Sequence, residues 1–249
     1  MKFLILAFTS LLSVSVTPYA SAASTKNIVI VHGAFGDGSG WEGVYRILTS
    51  DGYKVTIVQN ATASLAADVT ATQNVLAAQN GPVVLVGHSY GGAVITEAGN
   101  DPKVKNLVYV AAYVPDVGES VGSLLGKADP SLPAPPILID GKKGIALLDR
   151  EKFPEFFAAD VERSKAEFMA ASQAPLGLAA VSASITTAAW RTKPSFYIIA
   201  KEDRMISPAD EKMMATRAHS VLFEIKASHA AFISQPDQVA QVIEKAAAQ

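Results

Sequence analysis

The stretch Val83–Gly92, V-V-L-V-G-H-S-Y-G-G, constrains this chain more than any other. Four apolar, mostly β-branched residues in a row read as a strand buried on both faces. Gly87-His88-Ser89-Tyr90-Gly91 then fits the pattern G-x-S-x-G, and Ala93–Ala98 reads as a helix. A chain that passes from strand to helix through a single serine must hold that serine in a strained backbone conformation. Its neighbours at Gly87 and Gly91 are left no room for a Cβ. The strain lifts the Ser89 hydroxyl clear of the main chain at a helix N-terminus, where N–H groups and the positive end of the helix dipole stabilise a developing oxyanion. The alternative is a glycine-rich turn whose serine only caps the helix. The flanking strand and helix favour the nucleophile.

Further short apolar runs flank this unit. Asn27–Val31, Lys54–Val58, Asn106–Ala111, Ser195–Ala200 and Val221–Ile225 read as strands, and Trp41–Ser50, Leu65–Ala78 and Met213–Ala218 as helices. A last helix opens at Ser234-Gln235-Pro236-Asp237, with proline and an acid in its first turn. Alternation of strand and helix predicts an α/β fold with a doubly wound, mostly parallel sheet, in one domain over residues 23–249. The alternation breaks at Tyr113-Val114-Pro115 and gives way to a Pro-, Gly- and Ser-rich run ending at Pro136. Helical stretches follow around Phe153–Ala159, Val161–Ala171 and Leu176–Ala188. Residues from about 114 to 188 therefore read as an insertion of mainly helices and loops, a cap over the site. Phe156, Phe157, Phe168 and Met169 would form its apolar ceiling or its own small core.

The first strand ends in His32-Gly33-Ala34-Phe35-Gly36-Asp37-Gly38-Ser39-Gly40-Trp41. One reading is a dinucleotide loop, but its glycines are wrongly spaced, and the next strand runs into Gln59-Asn60 with no acid for a ribose. The other is a loop of main-chain donors, with the Ala34 N–H facing the Tyr90 N–H across an oxyanion hole. On that reading His32 braces the loop, Phe35 and Trp41 are candidates for the pocket wall, and His88 points away from the pocket.

A serine nucleophile needs a base and an acid that orients it. Asp203 stands just past one late strand and His229 just past the next, so both loops leave the same sheet edge as Ser89. Glu202 and Asp116 compete for the acid's place, and His219 lies at a helix end. The four histidines show no metal-ligand spacing, so no metal is expected.

At the N-terminus, Lys2, the apolar run Phe3–Val16 and Ala20-Ser21-Ala22 make a secretory signal peptide over residues 1–22, too short in its apolar stretch to anchor in a bilayer. An exported, periplasmic or secreted protein is expected. The chain has no cysteine, so its core alone must hold it together, and 49% apolar composition supplies one. A net charge of −2 with both signs dispersed favours neither nucleic acid nor an anionic membrane surface.

His32-Gly33-Ala34-Phe35, Gly87-His88-Ser89-Tyr90-Gly91-Gly92, Glu202-Asp203-Arg204 and Ser228-His229-Ala230 together resemble the α/β-hydrolase superfamily. From about Lys26 onward the chain is similar to its cap-bearing branch of small esterases, methylesterases and hydroxynitrile lyases. The resemblance implies hydrolysis of a carboxylic ester without a cofactor, on a small-molecule substrate, and the order Ser89, Asp203, His229 matches the family's triad. The lyases of this branch resemble one another in a lysine directly after the catalytic histidine, and here that residue is Ala230. Serine at the turn, not aspartate, also departs from dehalogenase and epoxide-hydrolase relatives. A lyase or cofactor-free oxygenase on the same scaffold, and a catalytically silent small-molecule binder, stand as alternatives.

Overall fold

The computed structural model describes residues 25–127 and 133–249. The signal peptide expected over residues 1–22 lies outside the described residues.

Six parallel strands form the central sheet. They are β1 (Asn27–Val31), β2 (Lys54–Val58), β3 (Val83–His88), β4 (Val104–Val110), β8 (Ser195–Ala200) and β9 (Val221–Ile225), in the order β2-β1-β3-β4-β8-β9. β1, β3 and β8 are buried at every residue, which is why they read as unbroken apolar runs. The edge strands β2 and β9 are half-exposed and more polar. Each fully buried Ile, Leu or Val contributes about 1.5–3 kcal/mol relative to an exposed one, so Ile28, Ile30 and Leu85, all at 0% exposure, anchor the sheet's centre.

The crossover helices α1 (Glu42–Ser50) and α2 (Leu65–Ala77) follow β1 and β2, and α3 (Gly91–Ala98) follows β3. From β1 the chain steps outward to β2, then crosses back to β3 on the far side of β1. Right-handed crossovers therefore put α1 and α2 on opposite faces. The strand order reverses between β1 and β3, and ligands of open α/β sheets bind in the crevice at that reversal. The loops that leave β1 and β3 there are His32–Gly36 and the Ser89 turn.

Between β4 and β8 lies the insertion. It holds α4 (Val121–Leu125), β5 (Ile137–Asp140), β6 (Ile145–Leu148), α5 (Phe153–Phe156), α6 (Arg163–Ser172), β7 (Leu176–Gly177) and α7 (Leu178–Ser182). Its ends are tied by a bridge between Val117 and Ile185, with Gly118 N–H to Ile185 O at 2.9 Å and Ile185 N–H to Glu119 O at 2.8 Å. Two corrections apply to the helical expectation. β5, β6 and β7 form a small antiparallel sheet, and Leu176–Ala188 is a short strand and one helical turn instead of a long helix. Gly177 sits so close to Ala63 that a Cβ would stand 2.1 Å from its carbonyl oxygen, and Gly177 N–H donates to Thr62 O at 2.8 Å. The insertion is thereby stitched to the main body.

The chain ends with α8 (Pro208–Arg217), β9, α9 (Ala231–Ser234) and α10 (Pro236–Ala247). Ser207 caps α8, accepting from Asp210 N–H at 3.1 Å. No helix among the described residues is long and apolar enough to cross a membrane.

Candidate active site

Ser89 has φ of +51°, the left-handed conformation that a one-residue strand-to-helix turn demands. A non-glycine residue held there costs of order 1–3 kcal/mol, and the surroundings hold it firmly. The Ser89 N–H donates to Val110 O at 3.3 Å, and its carbonyl accepts from Gly92 N–H at 2.9 Å and Tyr113 N–H at 3.1 Å. The glycines do what the sequence asked. A Cβ on Gly87 would stand 2.6 Å from Gly91 O, and one on Gly91 would stand 2.5 Å from Val31 O. A Cβ on Gly33 would meet the Ser89 Cβ at 2.8 Å, so the β1 loop lies directly against the serine.

His229 and Asp203 converge as their chain order implied. His229 Nδ1 donates to Asp203 Oδ2 at 2.6 Å, with both side chains almost fully buried. Asp203 Oδ1 accepts from the Met205 N–H at 2.6 Å and the Ile206 N–H at 3.0 Å, so the acid is anchored from two sides. Because a carboxylate only accepts, Nδ1 carries the proton and Nε2 presents its lone pair. Nε2 is buried and meets no partner among the described residues, so no hydrogen bond joins it to Ser89. Such contacts are often long before substrate arrives. The competing groups are elsewhere: Asp116 is taken by Arg191 through two 2.7 Å bonds, Glu202 lies near Lys226, and His219 is exposed.

His88 corrects its expectation. It does not point away but packs on the His229 ring at 4.7 Å and lines a cavity beside it. Its Nε2 donates to His229 O at 3.0 Å, and burial, then the nearby His229, keep it neutral far below the usual histidine range. His32 braces the β1 loop as expected, Nδ1 donating to Gly33 O at 2.9 Å, and burial lowers its pKa as well. Trp41 is core and not pocket wall, fully buried and stacked on Phe232 at 4.7 Å.

No acceptor among the described residues takes the N–H of Ala34 or of Tyr90. The Tyr90 hydroxyl donates to Asp68 Oδ2 at 2.7 Å, while Asp68 Oδ1 accepts from Thr62 N–H at 3.0 Å. That link went unseen in the sequence. Its signal was an acid, Asp68, on the stripe Leu65–Val69–Thr72–Leu76 of α2, which carries no other charge.

Two cavities flank the site. One of about 490 Å³ opens at the β1 loop and takes Ala34, Phe35, His88, Phe157, Phe168 and Met169 into its wall. Phe35 lies in this wall with φ of +60°. The other, about 860 Å³, lies past Tyr113 and Asp203 beneath α4 and α8, walled by Leu124, Phe156, Met205 and Met213. The insertion contributes to both. It also grips the histidine loop: Ala230 N–H donates to Phe157 O at 2.9 Å, Ser228 Oγ bonds Asp160, and the Phe157 ring meets His229 edge-on at 4.9 Å.

A profile described as the alpha/beta hydrolase family matches residues 28–242. The chain belongs to the α/β-hydrolase family. This hydrolase is 29% identical, over 66% of its length and 70% of the relative's, to the α/β hydrolase nvfD of Aspergillus novofumigatus. It is 36% identical over 42% of its length to the carbendazim-hydrolyzing esterase of a Nocardioides species, spanning about half (49%) of that enzyme. Among solved structures, a pyrethroid hydrolase from Sphingobium faniae superposes with a TM-score of 0.76 at 20% identity, over 89% of this hydrolase and 97% of that chain. The last likeness speaks to fold alone, which is the mostly parallel α/β sheet expected from the sequence.

Proposed function

We propose that this hydrolase is a serine esterase that cleaves a small, fairly apolar carboxylic ester through an acyl-enzyme intermediate. The observation that carries the reading is the buried 2.6 Å Asp203–His229 pair, with a bare Nε2, on the sheet edge where Ser89 is held at φ +51°. Ser89 Oγ attacks the ester carbon while His229 Nε2 takes its proton. The tetrahedral oxyanion is held by the Ala34 and Tyr90 N–H groups, each donor worth about 3 kcal/mol to the transition state. Collapse expels the alkoxide, which His229 protonates. Water then attacks the acyl-enzyme by the same route in reverse. Asp203 holds the productive tautomer and steadies the imidazolium. The apolar walls of the two cavities, with Phe35 in the smaller, suit apolar acyl and alcohol arms. Relatives named for carbendazim and pyrethroid hydrolysis support an ester substrate.

A fluorophosphonate probe tests the reading. Peptide mapping should place the label on Ser89 alone, and His229→Ala should lose it. An unlabelled wild-type protein would overturn the activated serine. We also propose export with loss of residues 1–22. Intact-mass analysis of protein recovered from an exporting host should give an N-terminus at Ala23, and a retained Met1 would refute it.

A further inference from the structure

Glu211 is a buried acid that the ester-cleavage scheme leaves unused. It sits in the first turns of α8 at 0% exposure. Its Oε2 accepts the Ala200 N–H at 3.0 Å, while its Oε1 is buried and meets no donor among the described residues. Ala200 ties the two acids together, its N–H donating to Glu211 Oε2 and its carbonyl accepting the Asp203 N–H at 3.0 Å, and the Asp203 charge bears on the Glu211 carboxyl. Tyr197 on β8 and Tyr113 after β4 face both acids, Asp210 on α8 faces Tyr113, and His229 stands beyond Asp203. No lysine or arginine bears on Glu211 from these elements.

Two adjoining buried carboxyl groups without a cation do not both ionise, so one holds a proton. Asp203 already accepts two main-chain N–H groups and an imidazole N–H, which favour its anion. Glu211 accepts one N–H and has a bare oxygen. Burial, and next the Asp203 charge, push its carboxyl far above the usual range.

We propose that Glu211 is a neutral carboxylic acid that donates a hydrogen bond to Asp203 and thereby positions the acid of the Ser89–His229–Asp203 triad. Its catalytic consequence rests on the esterase reading; its protonation does not. A donor on Asp203 draws charge from the carboxylate, so the imidazolium of His229 is held less tightly and Nε2 returns its proton more readily.

Two variants test this in the full-length protein. Glu211→Gln keeps an acceptor for Ala200 and a donor for Asp203 but cannot titrate. Because the folded-state pKa is raised, wild type carries one proton more when folded than when unfolded above the ordinary glutamate pKa. Its stability from this group is complete below about pH 4.5 and falls as pH rises toward the folded pKa. Relative to E211Q, the wild-type folding constant should therefore drop as pH rises above the ordinary glutamate pKa, by up to about ten-fold per pH unit, read by urea unfolding. An identical pH slope in the two proteins overturns the inference.

Glu211→Leu removes the donor. Its kcat on a p-nitrophenyl ester should fall about ten-fold with KM within about two-fold, and the acid limb of kcat/KM should move up by about half a pH unit or more. E211Q should restore both. An acid limb that stays in place in E211L overturns the positioning role. If E211L does not fold, the E211Q slope still decides the proton. Failure of the esterase reading would look different: no probe label on Ser89, with the E211Q slope intact.

Discussion

Ser89→Ala is expected to cut turnover of short p-nitrophenyl esters by about 10⁴-fold or more, with thermal unfolding little changed. The size follows from its place in the scheme: the other hydroxyl on the turn between β3 and α3, that of Tyr90, is committed to Asp68, and His229 Nε2 has no partner among the described residues. What survives should be the acceleration that oxyanion donors and binding give to attack by water. The fold should tolerate the change because Ser89 is held through its main chain, by the bonds to Val110, Gly92 and Tyr113. Alanine keeps all three, and its Cβ occupies space serine already fills beside Gly33. Steady-state kinetics on the purified variant, with circular dichroism as a control, checks both halves. Turnover within ten-fold of wild type would remove Ser89 from the chemistry.

Asp203→Asn is expected to lower kcat by about 10⁴-fold while changing KM little. The asparagine oxygen can take the place of Oδ1 and keep accepting from Met205 and Ile206, which fixes the side chain's orientation. The amide nitrogen then faces His229 Nδ1. Two donors cannot share a hydrogen bond, so the imidazole shifts its proton to Nε2 and presents an N–H to Ser89 where a lone pair is needed. A nearly full kcat in D203N would assign the acid's role to another group.

Much of this arrangement is legible in the sequence. The Ser89 turn was legible because its glycines are compulsory: at Gly87 and Gly91 a Cβ would lie within 2.6 Å of a carbonyl oxygen. Asp203 and His229 were legible because both follow strands of one parallel sheet, and parallel strands bring their carboxyl ends to one edge. Glu211 was hidden by its setting. It lies ahead of Met213–Ala218, the helix expected from the sequence, whereas α8 starts at Pro208 behind the Ser207 cap, and only the packing of α8 on β8 turns Glu211 inward. The antiparallel sheet of the insertion was missed because β5 and β6 are four residues each. The hairpin signal was present in Asp140-Gly141-Lys142-Lys143-Gly144: Asp140 Oδ1 accepts from Lys142 and Lys143 N–H at 3.1 Å, and Gly144 takes φ of +67°. His88 was misplaced because its orientation is set by the His229 carbonyl, 141 residues further along the chain.

The Val117–Ile185 bridge closes the insertion at a stem where entry and exit lie side by side, and Gly177 against Thr62 makes a second tie to the main body. Loops of different length and chemistry can be exchanged there without disturbing a single rung of the parallel ladder, so substrate preference can drift or be engineered while the catalytic frame stays constant. The exceptions are Gly177 and the turn around Phe157–Asp160, whose carbonyl and carboxylate hold Ala230 and Ser228 on either side of His229. A graft that keeps these ties and replaces the rest is the economical route to a new selectivity on this chassis.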